Sequence, residues 1–304
     1  MRYWVGLTDR DWYRLLAHRS PDEVNFWQPS PRRPVTLEPG APFLFKLHAS
    51  AGGKIVGGGT FAHYTRIPIS MAWDVFGEKN GVATLAELVS RVTRYRRTAV
   101  DALADEIGCM VLVQPFFLEE HAWIEAPGWK GPTQRGRTYD TTGADGSALW
   151  ESVERARAAA PGFARMIAED EARYGQPILV APRLGQGSFR TLVTDAYERR
   201  CAITGERTLP VLSAAHIKPY GQSGPHRLDN GLLLRADIHL LFDRGYVTVT
   251  PDLTVRMSRR IREEFENGRD YYALDGRDVR GPLRGFPPPS REHLEWHGDT
   301  IFRS

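Results

Sequence analysis

The chain has 304 residues, of which 41% are hydrophobic and 25% are charged, a composition that is ordinary for globular proteins and long enough for two domains. No apolar run approaches the ~20 residues of a membrane-spanning helix. The opening MRYWVGLTDRDW lacks a signal-peptide pattern, and two cysteines, Cys109 and Cys201, give no disulfide framework. We therefore expect a cytoplasmic protein without membrane association. The net charge of +3 neither indicates nor excludes a nucleic-acid partner.

Residues 1–142 are rich in aromatic and β-branched residues, and Gly and Pro divide them into short segments. The pattern predicts strands over 3–7, 23–30, 42–50, 54–67 and 109–118. It also predicts a helix that begins after Asp9 or Asp11 and further helices over 70–76 and 84–97. A small, curved, mostly antiparallel β-barrel with flanking helices accounts for this order of elements.

The segments YWVGLTDRDWYRLL, EVNFWQPS, PGAPFLFKLH and KIVGGGTFAHYTRI follow one another in this region. In this order they resemble the EVE branch of the PUA-like superfamily, whose members, like the related SRA domains, recognise modified bases in DNA. The resemblance implies a domain over residues 1–142 that holds a flipped base in a pocket. Extruding a nucleotide costs about a few kcal/mol, which stacking and hydrogen bonds within the pocket must offset.

Four consecutive residues are our candidates for this modified-base pocket: Asn25, Phe26, Trp27 and Gln28. An aromatic side chain stacked on the base contributes about 1–3 kcal/mol, and the two amides could read the polar edge of the base. Because neighbouring side chains of a strand point to opposite faces, at most one of the two aromatics should face the pocket, and we favour Trp27. The alternative is that these aromatics fill the core of the barrel.

Basic residues in two loops are candidates for contacts with the DNA backbone. They are Arg32 and Arg33 in PRRP, and Lys130, Arg135 and Arg137 in the Gly-rich GWKGPTQRGRTYDT. Contacts with phosphates add affinity without reading sequence. A loop that is only solvated is an equally good interpretation.

Residues 143–182 are dominated by Ala, Glu and Arg and are interrupted at Pro161 and Gly162. This composition predicts a linker of two helices between residues 1–142 and a second domain over 183–304. That domain opens with a predicted helix over 188–200. It continues after residue 245 with a hairpin that turns at Pro251 and Asp252, a short helix over 258–268 and a Pro-rich tail.

Between residues 199 and 245, a strand, a loop, a second strand and a helix carry a His, an Asn and a His in that order. His216 closes the apolar run 209–217, and Asn230 precedes the apolar run 231–234. His239 lies in a segment with helical spacing of its apolar residues. This is the outline of a ββα-metal nuclease site. The stretch resembles the HNH endonuclease family, and in particular the branch with the motifs AAHI and HLLFDRG.

The resemblance implies a role for each of the three residues. His216 would be the general base that activates water, Asn230 would fix the loop and orient His216 through its amide, and His239 would hold one divalent ion, Mg²⁺ or Mn²⁺. Hydrolysis of a phosphodiester requires such a base and such a cation. A neutral imidazole with a pKa of about 6.5 suits the first task.

The chain departs from the common family pattern at the metal. Many members have an Asp or a His directly before the base, where this chain has Ala215. Asp243 follows His239 by four residues, so a continuous helix would place both on one face, and this pair is our first candidate for the metal site. Asp237 is the second candidate ligand. Asp243 could equally serve only to end the helix.

Many relatives also have two CxxC pairs that bind structural zinc. Here Cys201 takes the first position, and Thr204, Arg235 and Ile238 take the other three. We therefore expect no structural four-cysteine zinc site. His226, in the loop between the strands, is interpreted as an ordinary surface histidine.

The sequence thus predicts an α+β protein with an N-terminal PUA-like (EVE/SRA-like) domain, a helical linker and a C-terminal ββα-metal HNH domain. Its expected function is metal-dependent, modification-dependent restriction of double-stranded DNA. Because one ββα site cuts one strand, we expect a homodimer for double-strand cleavage. Two alternatives stay open: a nuclease whose first domain reads unmodified DNA or RNA, and a nucleic-acid-binding protein with an inactive nuclease fold, as Ala215 suggests.

Overall fold

The computed structural model describes residues 1–33, 35–129, 136–159, 184–222 and 224–304. The chain divides into two compact units, Met1–Arg183 and Leu184–Ser304. Of the predicted linker, the part up to residue 159 is helical, whereas the predicted second helix lies outside the described residues. No helix in the described part of the chain is long and apolar enough to cross a membrane.

The first unit is built on one six-stranded sheet with helices around it. Its strands are β1 (Arg2–Thr8), β2 (Glu23–Gln28), β3 (Pro42–Leu47), β4 (Ile55–Pro68), β5 (Glu106–Phe117) and β6 (Gly136–Asp140). Its helices are α1 (Arg10–Arg19), α2 (Ile69–Phe76), α3 (Leu85–Arg96) and α4 (Ala144–Ala159). The strand order is β2-β5-β4-β3-β1-β6, in which the β1–β3 pair is parallel and all the other pairs are antiparallel.

The α+β class is confirmed, but in the described residues the six strands form an open sheet and not the predicted curved β-barrel. The two outer strands, β2 and β6, each pair on one side only, with β5 and β1 respectively, so the sheet stays open. Irregular register at Phe45/Lys46, Gly58/Thr60 and Phe61/His63 interrupts the pairing of β3, β4 and β5. Bulges of this kind bend a sheet locally without closing it.

Side-chain caps fix where α1 and α3 begin. Asp9, one of the two predicted capping residues, accepts a hydrogen bond from the backbone N–H of Trp12 at 2.8 Å. Thr84 accepts one from the N–H of Glu87 at 3.2 Å, so α3 begins at the following residue. Arg91 on α3 also contacts both carboxylate oxygens of Asp9, at 3.0 and 3.1 Å, which ties the two helices together.

The second unit contains the predicted strand–loop–strand–helix order. Its strands are β7 (Leu212–His216), β8 (Gly231–Arg235), β9 (Val247–Val249) and β10 (Val255–Met257). Its helices are α5 (Gln186–Ala196), α6 (Ala236–Asp243), α7 (Arg260–Phe265), α8 (Arg269–Tyr272) and α9 (Arg291–Thr300). Strands β7 and β8 pair antiparallel and α6 follows β8 directly, while β9 and β10 form a second hairpin.

Helix α5 begins and ends earlier than the 188–200 predicted for it. It spans Gln186–Ala196, and the chain then enters left-handed backbone conformations at Glu198 and Arg199, with φ of 54° and 56°. A right-handed helix cannot continue through such residues. Phe189 and Val193 on α5 are buried in the same core as residues of β8 and α6, so α5 packs on the ββα segment.

Cys201 helps to hold the turn that precedes the ββα segment. Its buried sulfur accepts hydrogen bonds from the backbone N–H groups of Arg235 at 3.2 Å and Thr204 at 3.4 Å. Thr204 and Arg235 stand at two of the positions that cysteines occupy in zinc-binding relatives. A single thiol therefore links the turn to the junction of β8 and α6.

Candidate active site

Strand pairing brings the first two predicted residues together. His216 is the last residue of β7 and pairs with Gly231, the first residue of β8. Asn230 directly precedes Gly231, so it lies beside the end of β7. The backbone N–H of Ile217 donates to the carbonyl oxygen of Asn230 at 2.9 Å, which extends the ladder by one bond beyond His216.

Helix α6 brings His239 to the same place. The Nδ1 atom of its ring lies 2.9 Å from Oγ of Ser213 on β7. Its Nε2 atom lies 3.3 Å from a carboxylate oxygen of Asp243, one helical turn further on. Asp243 therefore faces the same side of α6 as His239, as its four-residue spacing predicts.

These side chains open onto one cavity of about 540 Å³ within the second unit. His216, His239 and Asp243 all line it. The other lining residues are Gln186, Phe189, Arg190, Ser213, Ala214, Ile217, Pro219, Tyr220, His297 and Ile301. The cavity thus combines an imidazole, a His–Asp pair and a guanidinium in a space large enough for part of a nucleotide chain.

The ring of His216 is held between two other rings. It stacks on Phe189, with ring centroids 3.8 Å apart and planes inclined by 12°. Its Nε2 atom lies 2.9 Å from Nδ1 of His226. Burial lowers the pKa of His216 to about 4, and the neighbouring imidazoles of His226 and His239 add to the shift. His216 is therefore neutral near pH 7 and can accept a proton.

Asn230 is fully buried, and its amide holds the loop between the strands. Its Nδ2 donates to the carbonyl oxygens of Lys218 at 2.9 Å and Pro225 at 3.0 Å. Its Oδ1 accepts from the N–H of Lys218 at 2.9 Å. Asn230 thus clamps both ends of the segment 218–225. These three bonds use the amide on the loop backbone rather than on the ring of His216.

His239 and Asp243 have the donor atoms that a hard divalent ion requires. Nδ1 of His239 is hydrogen-bonded to Oγ of Ser213, and the other ring nitrogen, Nε2, faces Asp243. No group of three or more His, Cys, Asp or Glu side chains in the described part of the chain could hold a metal ion. The pair of His239 and Asp243 still fits Mg²⁺, because this ion keeps several water ligands and commonly binds through one or two carboxylates plus substrate phosphates.

The other two positions considered for the metal lie elsewhere. Asp237 forms a bidentate ion pair with Arg235, at 2.7 and 2.8 Å, and does not line the cavity. This pairing lowers the pKa of the Asp237 carboxyl. Ala215, directly before His216, is fully buried in the core of the second unit. The position that supplies a ligand in many relatives is a core position here.

Sequence reasoning missed three of the polar residues at this site. His226 was interpreted as a surface histidine, yet its ring touches that of His216. Gln186 and Arg190 belong to α5, outside the motif, and line the cavity. Their spacing by four residues on one helix could have indicated a shared polar face, but nothing in the sequence places α5 against β7.

The four candidates for the base pocket lie on β2 and alternate between its faces. Asn25 is fully buried, and its Nδ2 donates to Oδ1 of Asn80 at 2.8 Å. Phe26 is 5% exposed and belongs to the core cluster that contains Trp12. Trp27 is half-buried and donates from Nε1 to the carbonyl of Asn80, and Gln28 is buried. Asn25 and Phe26 therefore face the interior of the first unit in this conformation.

The candidates for backbone contacts differ in how they are held. Arg32 is exposed. Arg33 donates to the carbonyl of Leu37 at 2.7 Å. Arg137 donates to the carbonyl of Gly128, and its guanidinium lies 5.1 Å from the ring centroid of Tyr139. Lys130 and Arg135 lie outside the described residues.

Comparison with known families gives the class of the second unit. Residues 201–250 match the HNH_2 family, which is described as HNH endonuclease. The matched segment contains β7, β8 and α6, and with them His216, Asn230 and His239. The prediction of an HNH endonuclease domain is thereby confirmed, and the protein is a nuclease.

Particular solved structures resemble the chain more distantly. ASCH from Zymomonas mobilis is 9% identical, with a TM-score of 0.36 over 50% of this chain and 94% of that chain. The modification-dependent TagI restriction endonuclease is 18% identical, with a TM-score of 0.28 over 92% of this chain and 75% of that one. The type IV phosphorothioation-dependent restriction endonuclease ScoMcrA is 12% identical, with a TM-score of 0.21 over 73% and 48%. No curated protein matches significantly.

Proposed function

We propose that this nuclease is a metal-dependent DNA endonuclease in which His216 is the general base, and His239 and Asp243 hold one divalent ion. The single observation that supports this most is the cavity of about 540 Å³, because the neutral imidazole and the His–Asp pair open onto the same space. HNH endonucleases generally use a divalent ion, which fits this pair of ligands.

In this mechanism, His216 takes a proton from the water that attacks the phosphorus. An ion held by His239 and Asp243 would supply positive charge to stabilise the negative charge that develops on the phosphate. Arg190, which lines the cavity and has no ion-pair partner among the described residues, contacts a phosphate of the substrate. Asn230 holds the backbone of Lys218 and Pro225 in place beside His216.

The first unit is proposed to recognise a modified base, so that cleavage is restricted to modified DNA. The support is the resemblance of residues 1–142 to EVE domains and a set of buried polar atoms. Oδ1 of Asn25 and Oγ1 of Thr65 are buried without a hydrogen-bond partner among the described residues. Such atoms are costly unless a ligand satisfies them. Because Phe26 is a core residue, stacking on the base is assigned to Trp27.

Digestion of matched plasmids tests this function. The substrates are unmodified DNA and DNAs with methyl-, hydroxymethyl- or glucosylated cytosine, methyladenine or phosphorothioate, each with Mg²⁺ and with Mn²⁺. We expect cleavage of at least one modified plasmid, no cleavage of the unmodified one, and double-strand breaks that depend on dimer formation. Equal cleavage of all plasmids would instead favour a first unit that reads unmodified DNA. No nicking with any metal would favour an inactive nuclease fold.

A further inference from the structure

The rings of His216 and His226 are in direct contact, and the proposed mechanism gives His226 no role. The two rings meet at 2.9 Å, from Nε2 of His216 to Nδ1 of His226, with their planes inclined by 63°. A distance of 2.9 Å between two imidazole nitrogens requires one proton between them, because two lone pairs or two N–H groups would repel each other. One ring therefore donates and the other accepts.

The direction of this hydrogen bond decides whether His216 can act as a base. A neutral imidazole carries a proton on one nitrogen only. If His226 donates, Nε2 of His216 is the acceptor, its proton sits on Nδ1, and no lone pair remains for water. If His216 donates from Nε2, its Nδ1 keeps a lone pair. Only the second arrangement leaves His216 both bonded to His226 and able to accept a proton.

We infer that His226 is a positioning and proton-accepting residue for His216. Nδ1 of His226 accepts the Nε2 proton of His216, which fixes the tautomer with a free Nδ1. When water attacks, its proton goes to Nδ1 of His216. The Nε2 proton of His216 passes to Nδ1 of His226, whose own Nε2 proton leaves to solvent. One proton enters the pair and one leaves, so both rings end neutral. This inference rests on the proposed role of His216 as the base.

Stacked aromatic rings hold His226 and His216 in the geometry that the proton transfer requires. Tyr220 stacks on His226 with centroids 4.5 Å apart and planes inclined by 16°. Phe189 stacks on the other ring, that of His216, at 3.8 Å. Both rings are partly exposed, so that of His226 can pass a proton to solvent while that of His216 stays stacked on Phe189.

Asn230 acts on the base through this second histidine. Its Nδ2 donates to the carbonyl oxygen of Pro225 at 3.0 Å, and Pro225 directly precedes His226. Clamping Pro225 fixes the backbone from which the His226 ring projects towards Nε2 of His216. The amide thus orients His216 indirectly, although its own bonds go to the loop.

Two substitutions at His226 distinguish its role as a hydrogen-bond acceptor from its role as a flat, stacking ring. His226→Phe keeps a flat ring that can stack on Tyr220 but removes the acceptor, and we expect kcat to fall by about 10–100-fold with little change in KM for DNA. His226→Gln keeps an acceptor that can orient His216 but cannot relay a proton, so its kcat should lie between those of the wild type and His226→Phe. His121→Phe, at a histidine whose side chain is 80% exposed in the first unit, is the matched control and should cut as the wild type does.

Chemical rescue tests the transfer of the proton itself. Imidazole added to His226→Ala should raise kcat towards the wild-type value, whereas a residue needed only for packing gives no such response. A His226→Ala enzyme that cuts faster than the wild type without imidazole would overturn the inference, because His226 would then obstruct the base. A His226→Phe enzyme with unchanged kcat would overturn it as well.

A readout without metal or DNA separates this inference from the proposed function. In ¹⁵N-histidine NMR spectra, with His216 assigned by loss of its signals in His216→Ala, we expect the wild type to carry its proton on Nε2. His226→Phe should shift this tautomer equilibrium, and His121→Phe should not. A wild-type His216 protonated on Nδ1 would overturn the inference. Correct tautomers in a protein that cuts no DNA would instead refute the proposed function and leave the positioning role standing.

Discussion

At the scale of single residues, His216 is expected to act mainly in the transition state. His216→Ala should abolish DNA cleavage and leave the affinity for DNA nearly unchanged, because the base contributes little to ground-state binding. Cleavage assays combined with fluorescence-anisotropy titrations check this. Loss of tight DNA binding along with cleavage would assign His216 to the fold rather than to the reaction.

Asp243 is the residue whose proposed role depends on the ion. Asp243→Asn weakens a hard-ion ligand without changing its shape, so the Mg²⁺ concentration for half-maximal activity should rise by about 10-fold or more. Asp252→Asn, at an exposed carboxylate outside the cavity, is the control and should leave the metal requirement unchanged. If both variants need the same concentration of metal, Asp243 only ends its helix.

Residue spacing predicted one part of this site and not another. The four-residue spacing of His239 and Asp243 is a property of one helix, so sequence alone could place both side chains on one face. The contact between His216 and His226 depends on how the intervening loop folds back, and Asn230 fixes that fold by bonds to Lys218 and Pro225. Loop geometry of this kind leaves no periodic signal in the sequence.

At the scale of elements, the ββα order was predictable because each strand and the helix have their own pattern of apolar residues in the sequence. An apolar run gives β7 and β8, and helical spacing gives α6. Barrel closure in the first unit was not predictable in this way. It depends on whether β2 and β6 pair with each other, and these strands are separated by more than 100 residues.

The turn at Cys201 gives a prediction at this scale. Cys201→Ala removes the buried acceptor of two partly buried backbone N–H groups, so the free energy of unfolding of the second unit should fall by roughly 1–3 kcal/mol. Chemical denaturation of the wild type and of Cys201→Ala measures this change.

At the scale of the whole molecule, two histidines with lowered pKa values make stability depend on pH. Burial lowers the pKa of His216 and of His297 to about 4, from an ordinary value of about 6.5. Between these values the unfolded chain binds more protons than the folded one, so stability is fully present above pH 6.5 and falls as the pH drops towards 4. Urea unfolding at several pH values checks this.

The His297 ring allows the pH dependence to be assigned. It stacks on Phe242 at 3.7 Å, lies 2.8 Å from Oγ1 of Thr248 and is almost fully buried, so a charged ring there would lose its hydration. His297→Gln removes one of the two titrating rings and should make the loss of stability between pH 6.5 and 4 less steep, with the remainder due to His216. An equally steep loss in this variant would assign the dependence to other groups.

The thiol of Cys201 bears on whether the turn that precedes the ββα segment needs a metal ion. Two main-chain amides converge on sulfur where related chains gather four thiolates around zinc. The hydrogen bonds that the Cys201 sulfur accepts hold this turn without a metal ion. If cleavage requires the proposed divalent ion, a shortage of that ion would stop cleavage and leave the protein folded.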